Sequence, residues 1–218
     1  MKRPVVPALA LAVLTLSVAA ALAASKPEKN AVGQTVQAAN APAVVDSLGL
    51  LERAVGRDSS KFDNLYRLGV MLLDRDRGQE AVRVLTKAHV IKPAEFKTLV
   101  NLGAAHDGLG NSDIAQGYYR EALKAAPGDS VASCRLATSL YAAGKTAEAM
   151  GLLRDVIQKK PSSYCAYFAL GVAFADAGIY RDAIRMWRKV VDLAPSSPEA
   201  ISATESIEVL ERYVRSTQ

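Results

Sequence analysis

The chain has 218 residues, half of them apolar, and a formal net charge of +5. This charge is too small and too dispersed to predict a nucleic-acid-binding protein. The two cysteines fit neither a CxxC motif nor a zinc-ligand spacing, so we expect no metal site and no cofactor. Alanine, the strongest helix former, is abundant, which favours an all-α fold.

Residues 1–23 have the pattern of a secretory signal peptide. Lys2 and Arg3 precede an apolar run that ends in the small-x-small sequence at residues 21–23, which suits signal peptidase. Cleavage would remove both cations and lower the net charge from +5 to +3. The run of about 20 residues is also long enough for an uncleaved membrane anchor. The pattern therefore predicts either an exported protein, periplasmic or secreted, or a membrane-anchored one.

Residues 24–43 are small and polar without apolar periodicity, which predicts a flexible linker. Residues 44–61 follow with a helical apolar pattern around Leu51 and Ala54. We interpret this segment as a half-repeat helix that precedes the main array.

Four copies of a 34-residue pattern then follow without a gap. Each copy has a leucine, a small residue directly after it, an alanine, a larger apolar residue, a second small apolar residue and a closing proline. The leucines are Leu68, Leu102, Leu136 and Leu170, and the small residues are Gly69, Gly103, Ala137 and Gly171. The other columns are Ala81, Ala115, Ala149, Ala183; Leu85, Tyr119, Leu153, Trp187; Ala88, Ala122, Val156, Val190; and Pro93, Pro127, Pro161, Pro195.

These columns resemble the tetratricopeptide repeat (TPR), a helix-turn-helix unit of 34 residues. The resemblance implies an all-α fold, an α-solenoid in which TPR units form a right-handed superhelix. The predicted units are TPR 1 at 62–95, TPR 2 at 96–129, TPR 3 at 130–163, TPR 4 at 164–197, and a C-terminal capping helix at 198–218.

Each column has a physical reason. Gly or Ala after the leucine lets the two helices of a unit touch, and Gly110, Gly144 and Gly178 stand where the first helix must end. Ser or Asp in the PGD and PSS sequences is placed to cap the next helix. In the last helix one apolar stripe is predicted to pack on TPR 4: Ala200, Ala203, Ile207, Leu210 and Val214.

The TPR resemblance also implies a concave groove lined by the first helix of each unit. Its predicted partner-binding residues are Tyr66, Arg67, Val70, Lys97, Val100, Asn101, Ala104, Val131, Arg135, Thr138, Tyr141, Phe168 and Val172. Exposed apolar side chains there suit a peptide or helix, and the cations favour an acidic partner or a terminal carboxylate. Only Asn101 and Arg135 match the family's carboxylate clamp, so we do not expect one. The alternative is that neighbouring helices partly bury these residues.

Cys134 and Cys165 also fall on the groove side, on the first helices of adjacent units. In an oxidising compartment they could form a disulfide, and the alternative is two packed thiols. His106 occupies an apolar column, which indicates a packed histidine.

No nucleophile, phosphate-loop or zinc motif occurs, so we do not expect an enzyme. The resemblance implies a non-catalytic scaffold or adaptor in the cell envelope that binds a partner peptide or helix. One alternative is an accessory subunit of an envelope enzyme or of a secretion, pilus or outer-membrane assembly complex. Another is a self-associating structural protein, and a homo-oligomer stays open. The mildly basic second helices leave membrane proximity open too.

Overall fold

Ten α-helices account for the regular structure of residues 47–216, the part of the chain that the computed structural model describes. The predicted signal peptide at 1–23 and linker at 24–43 lie outside the described residues. No helix within residues 47–216 is long and apolar enough to cross a membrane. The helices are α1 (Ser47–Arg57), α2 (Phe62–Leu73), α3 (Gly78–Ile91), α4 (Phe96–Gly108), α5 (Ser112–Ala125), α6 (Ser130–Ala142), α7 (Thr146–Lys159), α8 (Tyr164–Asp176), α9 (Tyr180–Leu193) and α10 (Pro198–Ser216).

Helices α2 to α9 pack as four consecutive pairs, one pair for each 34-residue repeat. The second helix of each pair also packs on the first helix of the next, and the first helices of successive pairs touch one another. A stack in which each unit packs mainly on its neighbours is an α-solenoid. The predicted fold class is therefore confirmed.

The two helices of a repeat approach most closely at the glycine column. A Cβ atom added at any of three glycines would lie under 3.0 Å from a large side chain of the second helix, closer than real Cβ atoms approach. The three pairs are Gly69 with Leu85, Gly103 with Tyr119, and Gly171 with Trp187. In TPR 3 the fully buried Ala137 takes this place. At the three glycines the neighbouring side chain fills the space of a Cβ, so a larger residue would fit only if that side chain moved.

The turn between the helices of a repeat needs a left-handed residue. Gly144 has φ 77°, and Gly110 and Gly178 have similar angles. In TPR 1 the same place holds Asp76 at φ 56°. Aspartate tolerates this region better than most residues with a side chain, so TPR 1 keeps the turn without glycine.

The predicted helix caps form at two of three helices. Asp129 and Ser197 each accept a hydrogen bond from the backbone N–H three residues ahead, at 2.8 and 3.1 Å. The expectation is wrong for Ser163, whose side chain makes no capping bond to α8. Its hydroxyl lies 3.2 Å from the sulfur of Cys165 instead. Glu95 caps α4 at 2.7 Å, which the sequence pattern did not indicate.

Helix α10 packs its predicted stripe on α9 and, to a smaller extent, on α8. All five residues of the stripe are buried or partly buried: Ala200, Ala203, Ile207, Leu210 and Val214. Glu205 stands one repeat length after Gly171, in the glycine column, and is exposed together with Glu208. A further helix packed there would have to bury a carboxylate, which is costly.

Two histidines flank Tyr118 where TPR 1 meets TPR 2. The His106 ring stacks on Tyr118 at 5.5 Å between centroids, and the His89 ring meets it edge-on at 6.2 Å. The Nδ1 atoms of both histidines are buried without a hydrogen-bond partner. Burial lowers the pKa of His106 below its ordinary value of 6.5, and the negative charge of Asp107 opposes this shift. His106 is thus a packed histidine whose neutral form is favoured.

We predict that Gly103→Ala lowers the free energy of unfolding by about 1–3 kcal/mol, because its Cβ would overlap the Tyr119 ring. Gly117→Ala is the matched control, since Gly117 lies exposed in α5 with nothing within 4 Å of an added Cβ. The control should be neutral or stabilising by up to about 1 kcal/mol. Urea denaturation measures both, and equal midpoints for the two variants would contradict the contact.

We predict that His106 makes stability fall as the solution is acidified. Its pKa is lower in the folded state, so below about pH 6.5 the unfolded chain takes up a proton that the folded chain resists. His106→Leu, with the residue that TPR 1 and TPR 3 carry in this column, should weaken the pH dependence. Urea midpoints between about pH 7.5 and 5.5 test this. Equal slopes for wild type and variant would show that His106 does not contribute.

Candidate partner-binding site

The first helices of the four repeats, α2, α4, α6 and α8, present the predicted binding residues. We call the surface formed by these residues the groove face. One cavity on it, the first cavity, has a volume of about 700 Å³ and lies between α6 and α8. Another, the second cavity, has about 400 Å³ and lies between α2 and α4. The groove face is therefore not uniform along the array.

The structure divides the predicted binding residues into three groups. The first cavity is lined by Val131, Cys134, Arg135, Thr138, Tyr141, Cys165, Phe168 and Val172. The second cavity is lined by Val70, Asn101, Ala104 and again Arg135. Four residues border neither cavity: Tyr66, Arg67, Lys97 and Val100.

Two residues of the third group have contacts that explain their place. The side-chain amide of Asn101 donates a hydrogen bond to the Tyr66 hydroxyl at 3.3 Å, across from one repeat to the next. Val100 packs against the buried core between TPR 2 and TPR 3. The alternative reading, burial by neighbouring helices, thus applies to Val100 and in part to Tyr66, Tyr141, Phe168 and Val172, which also pack against the core.

Most of the first cavity's wall is apolar. Phe168 and Val172 are partly buried on α8, while Val131 on α6 is 53% exposed. Met150 and Leu153 of α7 also line the cavity, although the first-helix pattern did not include them. An accessible apolar wall of this kind marks a surface that can bury a partner's side chains.

Asp107 is a cavity residue that sequence reasoning missed. It occupies the twelfth place of TPR 2, the column that gave Tyr141 in TPR 3, so reading the column through would have found it. Its two carboxylate oxygens accept hydrogen bonds from Tyr119 at 2.9 Å and from Ser139 at 2.8 Å. Burial, and next the charge of Asp107, raises the pKa of Tyr119, so its hydroxyl stays protonated and donates. Asp107 therefore ties the two helices of TPR 2 to the first helix of TPR 3.

Arg135 is the cation at the centre of the groove face. It is exposed and borders both cavities. Within residues 47–216 it has no carboxylate within 4.0 Å. Lys160 also lines the first cavity, but its ammonium group donates to the Ser130 hydroxyl at 3.1 Å.

A disulfide joins Cys134 of α6 to Cys165 of α8, with 6.2 Å between their Cα atoms. It crosses the wall of the first cavity and links the first helices of TPR 3 and TPR 4. No group of three His, Cys, Asp or Glu side chains within residues 47–216 could hold a metal ion.

A family model of the tetratricopeptide repeat matches residues 100–164 and, one repeat later, 134–198. The chain is a tetratricopeptide repeat protein. TPR units generally form non-catalytic scaffolds for binding other proteins. No curated protein matches the sequence at a significant level.

Solved TPR structures share the fold of this TPR protein. A thermophilic TPR protein of Thermus thermophilus superposes with a TM-score of 0.64 at 16% identity, over 73% of this chain and 88% of that one. PilF of Pseudomonas aeruginosa gives 0.61 at 22% identity, over 74% and 72% of the two chains. YrrB, a TPR protein with an unusual peptide-binding site, gives 0.54 at 23% identity, over 72% and 81%. At these identities the likeness establishes the shared TPR fold.

We predict that reduction of the Cys134–Cys165 disulfide lowers the free energy of unfolding by roughly 3–4 kcal/mol, because the bond closes a loop of 31 residues in the unfolded chain. Urea denaturation with and without dithiothreitol measures the difference. A Cys134→Ser, Cys165→Ser double variant should not respond to the reductant. An equal midpoint for oxidised and reduced wild type would show that the bond does not constrain the TPR array.

Proposed function

We propose that this TPR protein is a non-catalytic adaptor that binds a segment of a partner protein at the first cavity. One observation carries the proposal. The first cavity is lined by first-helix residues that the TPR resemblance predicts to contact a partner. Its volume of about 700 Å³ falls within the range of established ligand sites.

The chemistry of the cavity suits a peptide or helix. Val131, Phe168 and Val172 offer apolar surface on both sides of the recess, and covering them removes that surface from water. The side chains stand on helices rather than on loops, so a partner would meet a pre-formed surface and lose little free energy to ordering it. The same fold carries a peptide-binding site in YrrB, which supports a peptide-like occupant.

We further propose that the protein acts in the cell envelope after export. The pattern at residues 1–23 supports this, and so does the Cys134–Cys165 disulfide, since such bonds persist in oxidising compartments.

We predict that the mature protein in the periplasmic fraction begins near Ala24. Mass spectrometry of the intact protein, run without reductant, measures both the new amino terminus and the mass loss expected for one disulfide. Uncleaved protein in the membrane fraction would favour an anchored form instead. Cytoplasmic protein with two free thiols would contradict export.

We predict that Val131→Glu lowers partner capture at least about tenfold, because a bound partner would have to cover a charged carboxylate in an apolar recess, and this carboxylate would also compete with the partner for Arg135 one turn away. Val90→Glu is the matched control, since Val90 is 73% exposed on α3 and borders neither cavity. Cross-linking in intact cells, followed by quantitative mass spectrometry, compares the two with wild type.

Both variants change exposed side chains and should keep the circular dichroism spectrum and urea midpoint of wild type. Capture that survives Val131→Glu would place the binding surface elsewhere. Capture of only further copies of this chain would identify a self-associating protein.

A further inference from the structure

The cation at the junction of the two cavities forms no ion pair with a carboxylate of residues 47–216. Arg135 makes no ion pair or side-chain hydrogen bond within residues 47–216, although Asp107 also lines the first cavity. Both oxygens of Asp107 already accept hydrogen bonds from Tyr119 and Ser139, within the packed interface of TPR 2 and TPR 3. These hydrogen bonds keep the Asp107 carboxylate in the interface, so the guanidinium of Arg135 stays available to a bound partner.

Val131 and Arg135 are four residues apart on α6, so they lie on the same face, separated by one turn or about 6 Å along the helix. Phe168 and Val172 border the same cavity from α8. The site therefore offers an apolar wall with one planar cation a helical turn away. Guanidinium groups match carboxylates in shape and can donate two parallel hydrogen bonds to them.

The other charges limit how acidic the occupant can be. Asp74 and Asp76 border the second cavity, and Asp107 and Glu199 border the first. A run of several acidic residues would place like charges against these carboxylates, which is unfavourable. One carboxylate at Arg135 fits the surface, and an acidic tract does not.

This inference rests on the proposed function: we propose that the first cavity binds an amphipathic partner segment with apolar side chains and one acidic residue. Bulky apolar side chains of this segment fill the recess between α6 and α8. A single Asp or Glu, about one helical turn away along the segment, pairs with Arg135. Two turns of an amphipathic helix present this arrangement.

The test selects helical peptides from a phage-displayed library on the oxidised full chain. Three proteins are compared: wild type, Arg135→Glu, and Arg154→Glu as the control. Arg154 is an exposed arginine on the second helix of the same repeat and borders neither cavity. Wild type and the control should enrich apolar peptides with one Asp or Glu at a fixed spacing. Arg135→Glu should enrich Lys or Arg at that position.

A peptide selected on wild type then serves in a charge-swap cycle measured by fluorescence anisotropy. Changing its acidic residue to Gln should weaken binding about three- to tenfold. Changing it to Lys should weaken binding to wild type further and restore binding to Arg135→Glu. Such a reciprocal rescue is expected only if the two groups meet.

A failure of this inference can be distinguished from a failure of the proposed function. If Val131→Glu abolishes peptide binding but Arg135→Glu leaves the preferred sequence unchanged, the carboxylate partner is wrong and the groove-binding function stands. If selected peptides bind Val131→Glu and wild type equally, or if no peptide is enriched on wild type, the proposed function and this inference are both overturned. Enrichment of peptides with three or more acidic residues would overturn the single-carboxylate pattern.

Discussion

The near contact between the two helices of each repeat is the constraint on which the rest of the structure depends. At Gly69, Gly103 and Gly171 the large side chain of the second helix occupies the space where a Cβ would stand. This contact fixes which face of the first helix is buried. The opposite face, with Val131 and Arg135 in TPR 3, is then left exposed. The groove face is thus a consequence of how the core is packed.

The repeat columns predicted the fold and the helix pairs, because each column reports a contact that recurs every 34 residues. The two cavities could not be predicted in this way. They depend on contacts between unlike residues of neighbouring repeats, such as Asp107 with Ser139 or Asn101 with Tyr66. The helix cap predicted at Ser163 is wrong for the same reason. Its hydroxyl lies beside Cys165, and no other repeat has a cysteine at that position. Contacts that recur in every repeat could be predicted from the sequence, and contacts that occur in one repeat only could not.

The groove face changes character along the array. Its residues in TPR 1 and TPR 2 are largely polar or cationic, whereas those around the first cavity in TPR 3 and TPR 4 are largely apolar. The disulfide lies in the apolar half, where it joins the two helices that form the cavity walls. Oxidation therefore limits how far these walls can separate, in the half of the array where an apolar partner would lose most from a looser fit.

Glu205 at the glycine column of α10 also bears on how molecules of this protein meet. Repeat arrays with apolar ends can stack end to end, each molecule acting as the next repeat of the one before, and such head-to-tail contacts grow into filaments. Here the place where the next helix would touch carries a carboxylate, with Glu208 exposed on the same helix. Burying this carboxylate would oppose such a contact at the carboxyl-terminal end of residues 47–216.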